Sequence, residues 1–478
     1  MTDIADLLDS ADALTIGGAV TVGDLDPVEL TQAAIDRIEE RNPALNAIIA
    51  TRFDEALDEA KAVDRTAPFA GVPFVVKDCR ARVKGMTEGW GSRLFRDNVA
   101  DADSELTRRY RAAGLIILGV SNMPELGKMA TTEPLAHGAT RNPYAANRSV
   151  GGSSGGTGAA VAAGMVPIGH GNDGGGSIRI PASACGLFGL KPSRGRITAH
   201  PSPALLAYPT AVDHVLTRSV RDSARMLDLT AGPMRGDPYE IPQPAESWLE
   251  STERDPGALR IGVAPSSMDG PAFEPACAAA LGRAVTALTT LGHQVEEAAF
   301  PVGPGSIARI GAIMTAAGRT MIDDRLAELG RELREDDIEP FTRYLYDLGG
   351  AFSSTDVVRG LQTLELLGRD AGSYFERFDL FLSPTLPTAV PELGEYDTSN
   401  VDELLPIAGR LTGETAIFNA SGQPAASVPM GTDDAGVPVG VQLAAAFGRE
   451  DLVLAVSRQL ETAAPWPTAC VWPPEASS

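Results

Sequence analysis

Two serines set in glycine-rich turns are the residues of this sequence best suited to chemistry. Ser153 lies in GGSSGG and Ser177 lies in GGGSIRIP. Glycine loses much backbone entropy on folding, so such clusters indicate a tight turn or a backbone that must approach a ligand closely. A hydroxyl in such a turn is accessible, and neighbouring N–H groups can face an oxyanion. This is the geometry that a nucleophilic serine needs.

A nucleophilic serine also needs a base, and Lys77 is one candidate. It ends the apolar run GVPFVVKD, which is typical of a buried strand. Burial removes water from an amine and lowers its pKa, and a neutral lysine can then act as a general base. The residues alone leave open a second interpretation, in which Lys77 forms an ion pair with Asp78 or another acid.

Two further motifs overlap these turns and suggest other chemistry. GHGNDG at 169–174 fits the G-x-G-x-x-G pattern of dinucleotide-binding turns. GSSGG at 152–156 fits G-x-S-x-G, the nucleophile elbow of another hydrolase fold. In that case Ser154 is the nucleophile and its base is a downstream histidine, one of His200, His214 and His293.

The elements around these motifs alternate between helix and strand. Apolar spacing predicts a helix over 27–41, a helix over 104–113 that leads into a strand at LIILG, a strand over 258–264 and a helix over 274–291. Strands that are apolar throughout are typical of a sheet covered on both faces. The sequence therefore predicts an α/β protein.

Composition excludes several classes of function. The chain has 478 residues and no visible linker, which favours one domain over 1–478. The net charge of −23 disfavours nucleic-acid binding. No apolar run is long enough for a membrane span, and the acidic N-terminus is unlike a signal peptide. Four widely spaced cysteines suggest reduced thiols in the cytoplasm, and no motif suggests a metal or cofactor.

Taken together, the motifs resemble those of the amidase signature family of serine hydrolases. That family combines a GGSS turn with a D-x-GGS-x-R-x-P turn, and the likeness extends to GVPFVVKD at 71–78, GLKPSRGRI at 189–197 and FNASGQPAASVPMG at 418–431. The resemblance implies a single-domain α/β/α sandwich with a large mixed central sheet. It also implies a signature core over about 70–200 and a variable helical roof above the pocket over about 300–375.

The resemblance further assigns roles to residues of this chain. Lys77 corresponds to the base, Ser153 to a bridging serine after a cis peptide bond from Gly152, and Ser177 to the nucleophile. The other expected site residues are the oxyanion-hole N–H donors Gly174, Gly175, Gly176 and Ser177, the bracing residues Ser154, Asp173 and Arg179, and the pocket residues Gly127, Lys128 and Met129. Apart from this likeness, ELGKMA around Lys128 is typical of an exposed lysine.

Within the family, TTEPLAHGATRNPY at 131–144 and FGREDL at 447–452 resemble the branch that hydrolyses cyclic dimers of 6-aminohexanoate. The implied function is hydrolysis of small amides through an acyl-enzyme, with oligoamides, anilides and carbamates as candidate substrates and a homodimer as a candidate assembly. Two alternatives stay open: the glutaminase subunit of a tRNA-dependent amidotransferase, and a non-catalytic relative that only binds a ligand. The amidotransferase subunits usually read R-Q-P-A where this chain has RIPA at 179–182.

Overall fold

A mixed sheet runs through the centre of the molecule. The computed structural model describes residues 4–203, 209–268, 272–301, 306–470 and 472. Within these residues the sheet has eleven strands, in the order β1-β3-β2-β4-β6-β5-β10-β11-β9-β7-β8. They are β1 (Ile48–Thr51), β2 (Pro73–Lys77), β3 (Ile116–Ser121), β4 (Ile168–Asp173), β5 (Phe188–Lys191), β6 (Val212–Thr217), β7 (Arg260–Val263), β8 (Gln294–Glu297), β9 (Leu380–Pro384), β10 (Ala425–Thr432) and β11 (Pro438–Ala445).

Sixteen α-helices connect and cover these strands in the described part of the chain. They are α1 (Ile4–Ser10), α2 (Ala13–Val22), α3 (Pro27–Leu45), α4 (Phe53–Lys61), α5 (Glu105–Ala112), α6 (Gly155–Ala162), α7 (Arg179–Ala184), α8 (Val220–Thr230), α9 (Trp248–Ser251), α10 (Pro275–Thr290), α11 (Ser306–Leu329), α12 (Pro340–Ala351), α13 (Ser354–Tyr374), α14 (Val401–Leu404), α15 (Ala416–Ser421) and α16 (Glu450–Ala463). No helix among the described residues is both long and apolar enough to cross a membrane.

Strand β10 shows how both faces of the sheet are covered. Ala426 and Val428 pack into a core that includes apolar residues of α10 and α16. Ala425 faces the other side and packs into a core that includes residues of α13 and α15. Because successive side chains of a strand point to opposite faces, this alternation requires helices on both sides. The α/β/α sandwich with a mixed sheet is confirmed.

The helix ends follow from local sequence signals. Helix α3 has Pro27 in its first turn, and the Asp26 carboxylate caps it by accepting a hydrogen bond from the N–H of Val28 at 2.9 Å. It extends beyond the predicted 27–41 to Leu45 and ends where Asn46 adopts a left-handed conformation. The strands and helices predicted over 104–119, 258–264 and 274–291 are also confirmed, as α5, β3, β7 and α10.

Two parallel strands bring the chemistry-bearing segments to one edge of the sheet. In β2 and β4, Phe74 pairs with Ile168 and Val75 with Gly169. Every residue of β2 is buried, and the strand ends at Lys77. Because parallel strands end on the same side, Lys77 and the turn after Asp173 lie at the same edge.

The segment expected to form the pocket roof contains α11, α12 and α13. Helix α11 packs against α12 and α13, and it also contacts α15. Residues 302–305 of the expected range lie outside the described residues. Whether this segment varies with substrate stays a prediction.

Candidate active site

The Lys77 amine meets both serines of the first glycine turn. Its Nζ lies 2.7 Å from Ser153 Oγ and 3.0 Å from Ser154 Oγ, and it donates a longer hydrogen bond to the Asn172 carbonyl oxygen at 3.4 Å. The lysine is almost completely buried at the end of β2. An amine in this position can exchange a proton with the Ser153 hydroxyl directly.

The surroundings of Lys77 favour its neutral form. Burial lowers the pKa of Lys77, and the nearby carboxylates of Asp173 and Asp213 offset this only in part. The interpretation in which Lys77 pairs with Asp78 is wrong, because the Asp78 carboxylate accepts hydrogen bonds from the N–H groups of Gly89 at 2.6 Å and Gly91 at 2.8 Å. Burial raises the pKa of Asp78 to about 7.

The first glycine turn holds Ser153 against this amine. The peptide bond between Gly152 and Ser153 is cis, as the resemblance implied. Ser154 Oγ donates to the Asn172 carbonyl at 3.2 Å and accepts from the Asn172 N–H at 3.2 Å, so it links this turn to β4. A Cβ on Gly127 would lie 3.3 Å from Ser153 Oγ, so Gly127 allows the wall to approach the turn closely.

Ser177 lies in the second turn, between β4 and α7, and lines a cavity of about 250 Å³. Its carbonyl accepts a hydrogen bond from the Ser154 N–H at 3.2 Å, which joins the two turns. In the described part of the chain, the Ser177 hydroxyl makes no hydrogen bond to a protein atom. Ser177 therefore carries a hydroxyl without a partner among the described residues at the wall of this cavity.

Three of the four residues expected to supply oxyanion donors line the same cavity. Gly174, Gly175 and Ser177 line it, and their N–H groups have no acceptor among the described residues. The prediction that Gly176 is a fourth donor is wrong, because its N–H donates to Asp173 Oδ1 at 2.7 Å. Gly176 has a structural reason to be glycine instead: its φ is 134°, and a Cβ would lie 2.3 Å from Thr415 Oγ1.

Asp173 and Arg179 hold the second turn in shape from below. The carboxylate also accepts from the Ile178 N–H at 3.1 Å and from Arg179 Nε and Nη2, each at 2.9 Å. Burial alone would raise the pKa of Asp173, but the Arg179 guanidinium outweighs it and holds that pKa well below its usual range. Arg179 Nη1 then donates to the Thr415 carbonyl and to Gln442 Oε1, which ties the turn to the far half of the sheet.

Comparison with known proteins identifies the family. A family model described as "Amidase" matches residues 29–454.

The chain belongs to the amidase family.

It is a hydrolase acting on carbon–nitrogen bonds of amides. The chain is 39% identical over 480 residues to a 6-aminohexanoate-cyclic-dimer hydrolase of a Pseudomonas species, with 95% of each chain covered. It is 38% identical, with the same coverage, to the protein of that name from Paenarthrobacter ureafaciens. A solved structure of 6-aminohexanoate cyclic dimer hydrolase with its substrate superposes with a TM-score of 0.90 at 36% identity, covering 97% of this chain and 98% of that one.

A bacterial aryl acylamidase of the amidase signature enzymes is also similar. Its structure superposes with a TM-score of 0.87 at 28% identity, with 96% of this chain and 97% of that chain covered. This amidase therefore shares its fold with enzymes whose names specify different amide substrates, and the fold alone does not select a substrate.

The cavity wall of this amidase includes the expected pocket residues. Gly127, Lys128 and Met129 all line the cavity. Lys128 is half-buried, so the expectation of an exposed lysine is wrong. Its Nζ donates to the Met314 carbonyl of α11 at 3.1 Å, and burial lowers the pKa of Lys128 to about 8. Met314 itself lines the cavity, so α11 forms part of its wall.

Sequence reasoning missed a buried ion pair behind Lys77. Arg80 Nε lies 2.9 Å from both carboxylate oxygens of Asp213, and Arg80 Nη2 lies 2.7 Å from Oδ2. His170 Nδ1 accepts the Lys77 N–H at 3.3 Å, and its Nε2 lies 3.4 Å from Asp213 Oδ1. The sequence feature that could have revealed this pair is Asp213 in the strand VDHVLT, because every residue of that strand is buried and a buried carboxylate requires a partner.

The structure supports neither the nucleophile-elbow interpretation nor the dinucleotide-binding interpretation. The expected elbow serine, Ser154, is hydrogen-bonded to Lys77 and Asn172, while His214 Nε2 pairs with Ser223 Oγ and His293 Nε2 with Gln459 Oε1. The remaining candidate, His200, is exposed. GHGNDG lies almost wholly within β4, whereas a dinucleotide fingerprint forms the turn between a strand and a helix.

Metal ligation has no obvious site in the part of the chain that the structure describes. No group of three or more His, Cys, Asp or Glu side chains there could hold a metal ion. All four cysteines are buried as free thiols.

Proposed function

We propose that this amidase cleaves small amides through an acyl-enzyme, with Ser177 as nucleophile, Ser153 as proton bridge and Lys77 as base. The observation that carries the proposal is the 2.7 Å contact between the buried Lys77 amine and Ser153 Oγ. A buried amine with a lowered pKa can accept a proton at moderate pH. Ser177 lines the cavity, and its Oγ is the atom that we expect to attack the substrate carbonyl.

In the first half-reaction Ser177 Oγ attacks the amide carbonyl carbon. Its proton passes to Ser153, whose own proton passes to Lys77. The carbonyl oxygen becomes an oxyanion and accepts hydrogen bonds from the N–H groups of Gly174, Gly175 and Ser177. Each such donor typically contributes about 3–4 kcal/mol to transition-state stabilisation. The C–N bond then breaks, and the amine leaves with a proton returned through Ser153.

In the second half-reaction water attacks the ester carbon of the acyl-enzyme. The water proton passes along the same path to Lys77, the Ser177–acyl bond breaks, and Ser177 regains its proton. The carboxylic acid product leaves, and the enzyme returns to its starting state. The Asp173–Arg179 pair acts as a positioning unit, because its contacts shape the backbone that carries the three donors.

The cavity supports small, largely uncharged substrates. Its volume is about 250 Å³, and most of its side chains are apolar, including Met123, Leu126, Ile180 and Met314. Two relatives named for a cyclic oligoamide, and one named for aryl acylamides, direct attention to oligoamides and anilides. Linear or cyclic oligoamides and anilides are therefore the first substrates to test, and carbamates and esters complete the comparison.

The test combines active-site labelling with a substrate panel. A fluorophosphonate probe is expected to label Ser177 in the wild-type enzyme and not in Ser177→Ala. Lys77→Ala and Ser177→Ala are each expected to remove nearly all turnover, and the double variant is expected to be little worse than either, since the members of a catalytic unit are not additive. Labelling that persists in Ser177→Ala, or turnover that persists in Lys77→Ala, contradicts the mechanism.

A further inference from the structure

A second cavity of about 550 Å³ lies beside the catalytic one, and the two share wall residues. Arg80 and Trp90 line both cavities. Helix α11 borders both as well, with Met314 lining the catalytic cavity and Ile313 and Ala317 lining the second. The two cavities are therefore neighbours at Arg80 and Trp90.

Arg80 has the chemistry of a recognition group at this junction. More than nine-tenths of its surface is buried, and Nε and Nη2 bind Asp213. Among the described residues, Arg80 Nη1 donates to no protein atom, although the side chain lines both cavities. Nη1 is not one of the buried polar atoms that lack a partner, so it is accessible from a cavity, and a ligand oxygen that reaches it can accept a hydrogen bond.

The charges near the junction favour an uncharged ligand. Asp213 neutralises Arg80, so Nη1 suits a carbonyl oxygen better than a carboxylate. At the second cavity, Arg82 pairs with Glu88 at 2.7 Å and Arg325 pairs with Glu328 at 3.0 Å. Asp324, exposed on α11, also lines this cavity outside these pairs, and its negative charge disfavours an anionic ligand. The rest of the wall carries apolar side chains, among them Ile313, Met321 and Leu361. Such a wall fits an aliphatic chain.

We propose that the second cavity binds the distal part of an extended, uncharged amide, and that Arg80 donates a hydrogen bond to a second carbonyl group of that substrate. The proposal rests on the proposed function, because it places the scissile amide at Ser177. It defines a substrate class, namely chains in which a second amide or ester carbonyl follows the scissile bond after an aliphatic spacer.

The test compares substrates of equal length with and without the second carbonyl. Nonanoyl 4-nitroanilide and N-acetyl-6-aminohexanoyl 4-nitroanilide form one pair, and a second pair carries the same extensions on the amine side of an acetamide. In at least one pair the member with the internal amide is expected to have a kcat/KM about tenfold higher, equivalent to about 1.4 kcal/mol. Equal values within both pairs, or no turnover of any long member, overturn the inference.

A variant that fills the second cavity gives an independent readout. Ala316 lines this cavity and is half-buried, so Ala316→Phe is expected to lower kcat/KM for the preferred long substrate at least tenfold more than for 4-nitroacetanilide. Ala327→Phe, on an exposed position of the same helix, is the matched control and is expected to change neither value. Because each protein is judged by a ratio of two substrates, loss of folded enzyme cancels.

The outcomes separate this inference from the proposed function. Hydrolysis of 4-nitroacetanilide that disappears in Ser177→Ala supports the proposed function by itself. If Ala316→Phe lowers turnover of short and long substrates equally, the inference fails while the proposed function stands. If the wild-type enzyme hydrolyses no amide or anilide and Ser177 resists labelling, both fail.

Discussion

Replacing Asp173 with asparagine is expected to disrupt the second glycine turn, which carries Ser177. The carboxylate accepts from Gly176 and Asn419 at one oxygen, from Ile178 at the other, and from Arg179 at both. In Asp173→Asn one carboxylate oxygen becomes an NH₂ group. Whichever way the new amide is oriented, at least two of these N–H donors then point at another donor and lose their acceptor. Arg179 also loses its buried counter-charge. Breaking a buried pair by removing one partner costs about 3–5 kcal/mol.

Urea unfolding of the wild type and Asp173→Asn at one pH measures this loss. We expect the free energy of unfolding to fall by about 3–5 kcal/mol, and kcat/KM per folded enzyme to fall about 100-fold or more, as for loss of an oxyanion donor. Glu365→Gln is the control: it breaks an exposed pair with Arg369 and is expected to cost under about 0.5 kcal/mol. An Asp173→Asn enzyme within about 1 kcal/mol of wild type, with wild-type turnover, refutes the reasoning.

Three other predictions test the site and its surroundings. Because only a neutral Lys77 accepts a proton and burial lowers its pKa, kcat/KM should rise with pH through that lowered pKa; a flat profile with chemistry rate-limiting argues against the relay. Gly176→Ala places a Cβ 2.3 Å from Thr415 Oγ1 and should lower both Tm and turnover. The control Gly372→Ala lies at an open position of helix α13 and should raise the free energy of unfolding by up to about 1 kcal/mol. Equal Tm shifts in the two variants contradict this prediction. Burial raises the pKa of Glu125 from 4.5 to about 7, so the stabilising protonated form of the folded enzyme is lost as the pH rises through about 7. Above that pH, Glu125→Gln should have a free energy of unfolding up to about 3 kcal/mol higher than wild type, and this difference should close as the pH falls toward 4.5. A difference that does not change with pH excludes this explanation.

Local patterns predicted the elements because their causes are local. The apolar run that ends at Lys77 is buried as β2, and Asp26 and Pro27 define the start of α3. The same patterns left the partner of Lys77 undecided between a serine relay and Asp78. Asp78 follows the last residue of that strand, and its carboxylate accepts from the N–H groups of Gly89 and Gly91, which are 11 and 13 positions away. Only the folded chain shows that this carboxylate has other partners.

Hydrogen-bond direction was the main point that motifs could not predict. GGGS contains several N–H groups, and the resemblance assigned Gly176 to the oxyanion hole. In the folded chain the Asp173 carboxylate accepts that N–H, whereas Gly174, Gly175 and Ser177 line the cavity with N–H groups that have no acceptor among the described residues. The direction of a backbone N–H depends on φ and ψ, and those depend on contacts with residues far away in the chain, such as Thr415.

The sequence by itself determined the hydrolase family and the α/β alternation, and it singled out one lysine and two serines as candidate catalytic residues, because these features reside in short motifs and in apolar periodicity. Only the tertiary structure decided which groups surround them. The Arg80–Asp213 pair joins residues 133 positions apart, and Arg179 contacts Gln442 across 263 positions. Contacts over such separations depend on strand order and on which edges of the sheet meet, and no local pattern encodes that arrangement.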